Sequence, residues 1–267
     1  MSVSAVERLG SPLAQKIELH DELASTQERA RELARGGAPH GTLVVSRVQT
    51  GGRGRLGRRW GSPPGGLWMS LILRPDFEAA FASRITQTAA VAVAKTLQDF
   101  GVDARIKWPN DLLVREHKIC GILAESSLGN VPVASKSVRP DPSARKLDHV
   151  VLGIGMNANL NPEDLGVANR AVTTVRAELG RDVDFADLLK GLLSNLQTGL
   201  TNIENFEATL DAWRSLNCTL ARWVRVQRFG ETLEGLAADL NPDGALILDT
   251  KNGTVELFEG EIEHLQI

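Results

Sequence analysis

The sequence has two cysteines in 267 residues, Cys120 and Cys218. Two thiols so far apart make neither a disulfide framework nor a metal-ligand spacing, so a reducing compartment is the default. No run of about 18 apolar residues occurs, so no segment reads as a membrane-spanning helix. The N-terminal stretch MSVSAVERLGSPLAQKIELH lacks the basic region and apolar core of a secretory signal. A cytoplasmic location follows by exclusion. Lys and Arg total 30 against 33 Asp and Glu, for a net charge of −3. That gives no global basic field of the kind a nucleic-acid binder carries. There is no internal repeat and no long low-complexity tract. What remains is 42% hydrophobic and 24% charged, the balance of an ordinary folded protein with room for one large and one small domain.

Local patterns place the elements. Ser25 to Glu28 reads as a capping box before a helix over residues 26–35, which ends at Gly36-Gly37. Strand-like runs follow at Leu43–Val48 and Leu67–Leu73. A long amphipathic helix is expected over Arg84–Phe100. Strands are expected at Asp103–Trp108, Lys118–Ser126 and His149–Asn157, and helices at Phe185–Ile203 and Phe206–Leu216. Asn130–Asp148, with Pro132, Pro140 and Pro142, reads as a surface loop. Beyond it, Trp223–Gln227, Thr232–Ala237, Ala245–Asp249 and Thr254–Phe258 are short alternating runs between turn signals such as Asn252-Gly253. They predict a small β-barrel. Between Glu231 and Glu263 the only basic residue is Lys251, which makes this module a poor nucleic-acid binder and a plausible partner dock.

Four segments carry candidate chemistry. Gln49-Thr50-Gly51-Gly52-Arg53-Gly54-Arg55-Leu56-Gly57-Arg58-Arg59-Trp60 combines glycines that let a backbone approach a ligand with planar cations that match phosphate or carboxylate oxygens. It is not a Walker loop, because no Gly-Lys-Ser/Thr follows, and no helix follows as a dinucleotide fingerprint requires. A solvated basic hairpin or an arginine–glycine nucleic-acid patch would look the same. Arg105-Ile106-Lys107-Trp108-Pro109-Asn110-Asp111 is a strand stopped by proline, with Asn110-Asp111 in the turn and Lys107 and Asp111 at the strand end. Lys118-Ile119-Cys120-Gly121-Ile122-Leu123-Ala124-Glu125 and Gly153-Ile154-Gly155-Met156-Asn157 put glycines inside strands, a sign of close approach by a ligand or another chain segment. Ser25 and Thr26 cap a helix and stand where a polar ligand could bind. Each pattern also has a purely structural explanation.

Taken in order, these motifs closely resemble the biotin–protein ligase family from about residue 17 to 160, and more loosely to the end. The resemblance implies an α+β fold, a mixed sheet backed by helices like the class II aminoacyl-tRNA synthetase and biotin–lipoate ligase core. It would span residues 1–219, with an SH3-like C-terminal barrel over 220–267. It implies ATP-dependent formation of biotinyl-5′-AMP and transfer of biotin to a lysine of a biotin carboxyl carrier domain. ATP and biotin would be substrates, Mg²⁺ a companion of ATP, and a protein-held metal site is not expected. Catalytic roles fall to Arg55, Lys118, Lys107 and Asp111. Biotin would meet Ser25, Thr26, Gln27, Gln49, Arg53, Gly54, Arg55, Lys118, Gly121, Gly153 and Gly155. The nucleotide would meet Arg53, Arg55, Arg58, Trp60, Lys107, Asn110, Lys118 and Asn157. A homodimer is compatible with the family, and neither nucleic acid nor membrane is expected as a partner.

Two departures stand out. Gln27 occupies a position where many family members have asparagine, and the segment around Asn130–Asp148 is longer than the usual turn. The first motif begins at Ser25, and the residues before it are too few for a folded winged helix, since domains generally need more than about forty residues. The expectation is therefore the short, non-repressor class. The competing readings are a lipoate or octanoate ligase of the same fold, a nucleic-acid-binding module built on the Arg-Gly loop, and a scaffold without turnover.

Overall fold

The computed structural model describes residues 10–128, 146–166 and 171–265. Most of the loop expected at Asn130–Asp148 lies outside the described residues. The first unit is a seven-stranded sheet built from β1 (Lys16–Leu23), β2 (Thr42–Gln49), β3 (Leu67–Leu73), β4 (Arg105–Lys107), β5 (Asp111–Val114), β6 (His117–Leu128) and β7 (Leu147–Met156). Their order is β1-β2-β3-β7-β6-β5-β4. β1 runs parallel to β2, and the remaining ladders are antiparallel. The sheet is mixed, as expected.

Strand alternation divides its side chains between two faces. Leu43, Val45, Leu71, Leu73, Val150 and Leu152 point into the main apolar core. The intervening Val44, Ile72 and Val151 point the other way, against Ala30 and Ala34 of α1 (Thr26–Arg35). Covering on both sides explains why all seven residues of β3, LWMSLIL, are buried. α1 begins as expected, with Ser25 as N-cap accepting from the Glu28 N–H. The Glu28 carboxylate does not close a capping box. It pairs with Arg53 instead.

The main core is filled by α2 (Ala82–Asp99), whose Ile85, Ala89, Ala92, Val93 and Leu97 are buried. Its many alanines let α4 (Phe185–Thr201) and α5 (Glu207–Leu216) pack against it. The sequence patterns did not reveal α3 (Val175–Leu179), which is five residues long and held by its caps. Thr174 Oγ1 accepts from Ala177 N at 3.0 Å, and Gly180 ends the helix at φ 68°.

β1 and β5 were also unexpected. β1 is a charged edge strand, whose outer residues need not be apolar. Asp111 was expected in a turn, yet it opens β5 directly across the hairpin from Lys107. The turn is Trp108–Asn110, and the Trp108–Pro109 peptide bond is cis.

The C-terminal unit holds β8 (Trp223–Arg228), β9 (Glu231–Leu240), β10 (Leu246–Thr250), β11 (Gly253–Leu257) and β12 (Glu261–His264). They form an antiparallel sheet in the order β11-β10-β9-β8-β12. The expected barrel is thus seen as an open ladder, without a β11–β12 pairing among the described residues. Its Val224, Val226, Ala237, Leu246 and Leu248 join the same apolar cluster as α2 and the large sheet. The Asp243-Gly244 turn touches both: Trp108 Nε1 donates to Gly244 O at 3.3 Å, and Gln87 Nε2 donates to Asp243 O at 3.3 Å. Gly244 has φ 77°, and a Cβ there would collide with the Gln87 amide. Gly244→Ala is therefore expected to destabilise the protein by about 1–3 kcal/mol, read as a lower Tm. An unchanged Tm would mean that this turn does not hold the two sheets together.

Candidate active site

The α1 face of the sheet holds the site. Register places Gly121 opposite both Asp111 and Gly155, and Leu123 opposite Gly153. Gly121, Gly153 and Gly155 leave this part of the sheet face, beside the N-terminus of α1, without side chains of its own. The Arg-Gly loop, the β4–β5 hairpin and β12 complete a cleft of 460 Å³, within the usual range for small-molecule sites.

The loop is a narrow ribbon rather than a free flap. Trp60 N donates to Gly52 O at 2.9 Å, and Gly54 N donates to Arg58 O at 2.8 Å. A Cβ at Gly52 would lie 2.5 Å from Trp60 O, so this crossing requires glycine. The exposed tip residue, Leu56, has φ 54°.

The four arginines separate into different roles. Arg53 pairs with Glu28 at the start of α1, and Arg58 pairs with Glu261 of β12. Arg59 Nη2 donates to Thr50 O at 3.0 Å. Arg55 turns inward, and its Nη1 donates to Asn110 Oδ1 at 3.1 Å. Burial lowers the pKa of its guanidinium, while Asp111, Glu259 and Glu261 oppose that shift. It remains a cation, as guanidinium does in proteins, but a partly desolvated one whose field is less screened.

Lys118 lies 2.6 Å from Asp111 Oδ1, and its ammonium is 4.9 Å from the Trp60 ring centre. Lys107 lines the same cleft. The cationic end of the cleft is therefore Arg55, Lys118 and Lys107, with Asp111 among them.

The opposite end is neutral and polar. Gln49 Oε1 accepts from Thr26 N at 2.8 Å and from Thr26 Oγ1 at 3.1 Å. Gln27 reaches across the sheet to Glu125 and Val151. Gly153 makes room for it, since a Cβ there would lie 2.5 Å from Gln27 Oε1. Gly121 and Gly155 likewise make room for Trp60. These strand glycines were expected to give space to a ligand, and in this structure they accommodate the protein's own Gln27 and Trp60.

All the expected site residues except Asn157 line the cleft. Asn157 is 1% exposed and lies behind Lys118. Its Nδ2 donates to Thr173 O at 3.0 Å and to Lys118 O at 3.3 Å, while its buried Oδ1 has no partner among the described residues. Residues not anticipated include Ser70, Glu116 and Glu261. Ser70 had a sequence signal, as the one polar residue in the apolar run LWMSLIL. Glu261 had none, because only folding brings β12 to the loop. Among the described residues no group of three His, Cys, Asp or Glu side chains could hold a metal ion.

Residues 21–157 match the Biotin/lipoate A/B protein ligase family, and residues 221–265 match the Biotin protein ligase C terminal domain. This chain belongs to the biotin/lipoate A/B protein ligase family. It is 34% identical over 256 residues to the bifunctional ligase/repressor BirA of Bacillus subtilis, covering 94% of this chain and 74% of the relative. It is 33% identical to a biotin–[acetyl-CoA-carboxylase] ligase of Paracoccus denitrificans, covering 84% and 90%. The biotin protein ligase of Aquifex aeolicus, solved with biotin and ATP, superposes with a TM-score of 0.74 at 27% identity, covering 93% of this chain and 98% of that one. The ligase-family core thus occupies the large sheet, and the family's C-terminal domain supplies β8–β12.

One cluster joins the two units beside the cleft. Arg222 Nη1 donates to Glu116 Oε1 at 2.9 Å, and His264 Nδ1 lies 3.5 Å from Glu116 Oε2. Burial lowers the His264 pKa below its ordinary 6.5, helped by Lys107 and Arg222 and opposed by Glu116. As pH falls through that value the unfolded chain takes up this proton first, so His264 contributes stability above 6.5 that is lost in acid. His264→Gln is expected to flatten the acid limb of the Tm-against-pH curve. His40, also lowered by burial, keeps part of the slope. An unchanged profile would show that His264 is not involved.

Proposed function

We propose that this cleft activates biotin with Mg-ATP and then gives it to a carrier lysine. Biotin–protein ligation is the activity of the family branch to which the chain belongs. The observation that carries the reading for these residues is the polarity of one cleft. Neutral amides and hydroxyls line the end at Thr26, Gln27 and Gln49, and cations gather at Arg55, Lys118 and Lys107. Biotin has the same polarity, with a neutral cyclic urea at one end and a carboxylate at the other.

In the first step a biotin carboxylate oxygen attacks the α-phosphorus. The new P–O bond replaces the bond to the bridging oxygen, and pyrophosphate leaves. Two anions must meet, and fixed cations lower that barrier. Arg55 and Lys118 hold the carboxylate and α-phosphate, with Lys107 and Arg53 supporting. Magnesium would come with the nucleotide phosphates and keep several waters, and it would supply positive charge at the α-phosphate beside Arg55 and Lys118. Arg58 and Trp60 border the nucleotide, and Asn110 orients Arg55. Asn157 Oδ1, without a partner among the described residues, suits a donor such as the adenine amino group.

In the second step the carrier lysine's neutral amine attacks the acyl carbon. A C–N bond forms, the acyl–O bond breaks, and AMP leaves. Asp111 faces this end of the cleft and is placed to take the amine's proton. Neither step needs an enzyme nucleophile. Closure of the Arg-Gly ribbon would keep water from the mixed anhydride. We assign the catalytic work to residues 1–219 and a supporting role to 220–267. The two free thiols suit the cytoplasm.

The test is incubation with biotin, Mg-ATP and a biotin carboxyl carrier domain, followed by intact mass of the carrier. An ATP-dependent, biotin-sized gain is expected. A gain with lipoate or octanoate alone would move the substrate to the sister activity, and no gain with any acid would overturn ligation. Arg55→Ala is expected to slow adenylate formation by about 10²-fold and to release the adenylate it makes. Wild-type retention of adenylate by that variant would remove Arg55 from this role.

A further inference from the structure

Glu125 is outside the cleft lining, yet it joins the far end of a chain of hydrogen bonds that reaches the cleft. It lies on β6 opposite Val151 of β7. Gln27 Nε2 donates to Glu125 Oε2 at 2.9 Å and to Val151 O at 3.0 Å. An amide nitrogen has two hydrogens, and a carboxylate and a carbonyl can only accept. The Gln27 amide therefore has one orientation, with Oε1 as the acceptor: the Val151 carbonyl already sets it, and Glu125 takes the second hydrogen and so fixes where the amide sits.

The consequence passes along the chain. Ser70 Oγ donates to Gln27 Oε1 at 3.0 Å, which uses its single hydrogen. Ser70 Oγ must then accept from Thr26 Oγ1, 2.9 Å away. Thr26 has one hydroxyl hydrogen, shared between Ser70 Oγ and Gln49 Oε1. Gln49 Oε1 is itself committed as an acceptor by the Thr26 N–H. Thr26 Oγ1 is left with only lone pairs to offer the cleft, so it accepts and does not donate.

We propose that Glu125 is a positioning residue for the ligand's N–H groups. With Val151 O it holds Gln27, and through Gln27 and Ser70 it positions Thr26, whose hydroxyl hydrogen Gln49 also takes, as an acceptor toward the cleft, so that the neutral end selects a cyclic urea over an acid that has no N–H at that end. This rests on the biotin reading above. It also gives a use for Gln27: the longer amide spans from Ser70 to Glu125, in the space left by Gly153.

The experiment is calorimetric titration of the full chain with biotin and, separately, with ATP, paired with steady-state adenylate formation. Glu125→Ala is expected to weaken biotin binding and raise the KM for biotin by about tenfold, the scale of one hydrogen bond to a charged group. ATP binding and kcat at saturating biotin stay at the wild-type level. Glu125→Gln keeps an acceptor toward Gln27 and recovers most of the loss. Arg31→Ala removes the other side-chain partner that Glu125 has among the described residues, 3.3 Å away, and leaves biotin binding unchanged. If the alanine variant does not fold, Glu125→Asp keeps the charge but falls short of Gln27 and carries the same expectation. Wild-type biotin affinity in Glu125→Ala or Glu125→Asp would overturn the proposal, as would an equal loss in Arg31→Ala. Absence of biotin binding by the wild-type chain would instead overturn the underlying reading, and this one with it.

Discussion

The packing of Trp60 on Gly121 and Gly155 is the contact on which the site depends. A Cβ on Gly155 would lie 2.5 Å from the indole nitrogen, and one on Gly121 would lie 2.8 Å from the ring. Only a bare backbone on two neighbouring strands lets the root of the Arg-Gly ribbon reach the sheet. Once there, the indole meets Trp68 edge-on at 6.5 Å and faces the Lys118 ammonium. The ribbon is thereby anchored at its base, and its tip extends over the cleft. Among the described residues the buried indole nitrogen has no hydrogen-bond partner. That is a cost of about 1–3 kcal/mol, which the packing of the ring offsets.

The electrostatic contacts of the ribbon are of a different strength. Arg53–Glu28 and Arg58–Glu261 join partly exposed side chains, and exposed ion pairs contribute about 1 kcal/mol or less. They hold the ribbon in place without locking it. An incoming carboxylate and phosphate can compete for the same guanidinium groups, so the partners that hold the free protein together are exchangeable. Arg55 differs, since it is more buried and bound through the neutral Asn110 rather than a carboxylate. Its charge remains available for an anion.

Much of this was legible in the sequence, for physical reasons. The helix at residues 26–35 carried its own start and stop signals, and β3 was marked by an unbroken apolar run. The ordered motifs at Ser25, Arg53–Trp60, Lys107–Asp111, Lys118–Glu125 and Gly153–Asn157 named the family and nearly the whole cleft. Elements whose stability comes from tertiary contact were not legible: the charged edge strand β1, the short β5 and β12, and the five-residue α3. Pairings across the chain were hidden for the same reason. Glu261 reaches Arg58, and Gln27 reaches Glu125, only because the sheets are assembled. Asn157 was assigned to the nucleotide by its motif, but its position behind Lys118 depends on Thr173, which no local pattern links to it.

The shared apolar cluster has a consequence for how this protein can vary. Residues 220–267 read as a separate module, yet Val224, Ala237 and Leu246 are packed in one core with α2 and the large sheet. β12 also supplies Glu261 to the cleft wall. The two units are therefore packed over one apolar core, with a joint between them that lines the cleft. Changes on either side of that joint are constrained together, so the small sheet cannot be exchanged as an independent cassette.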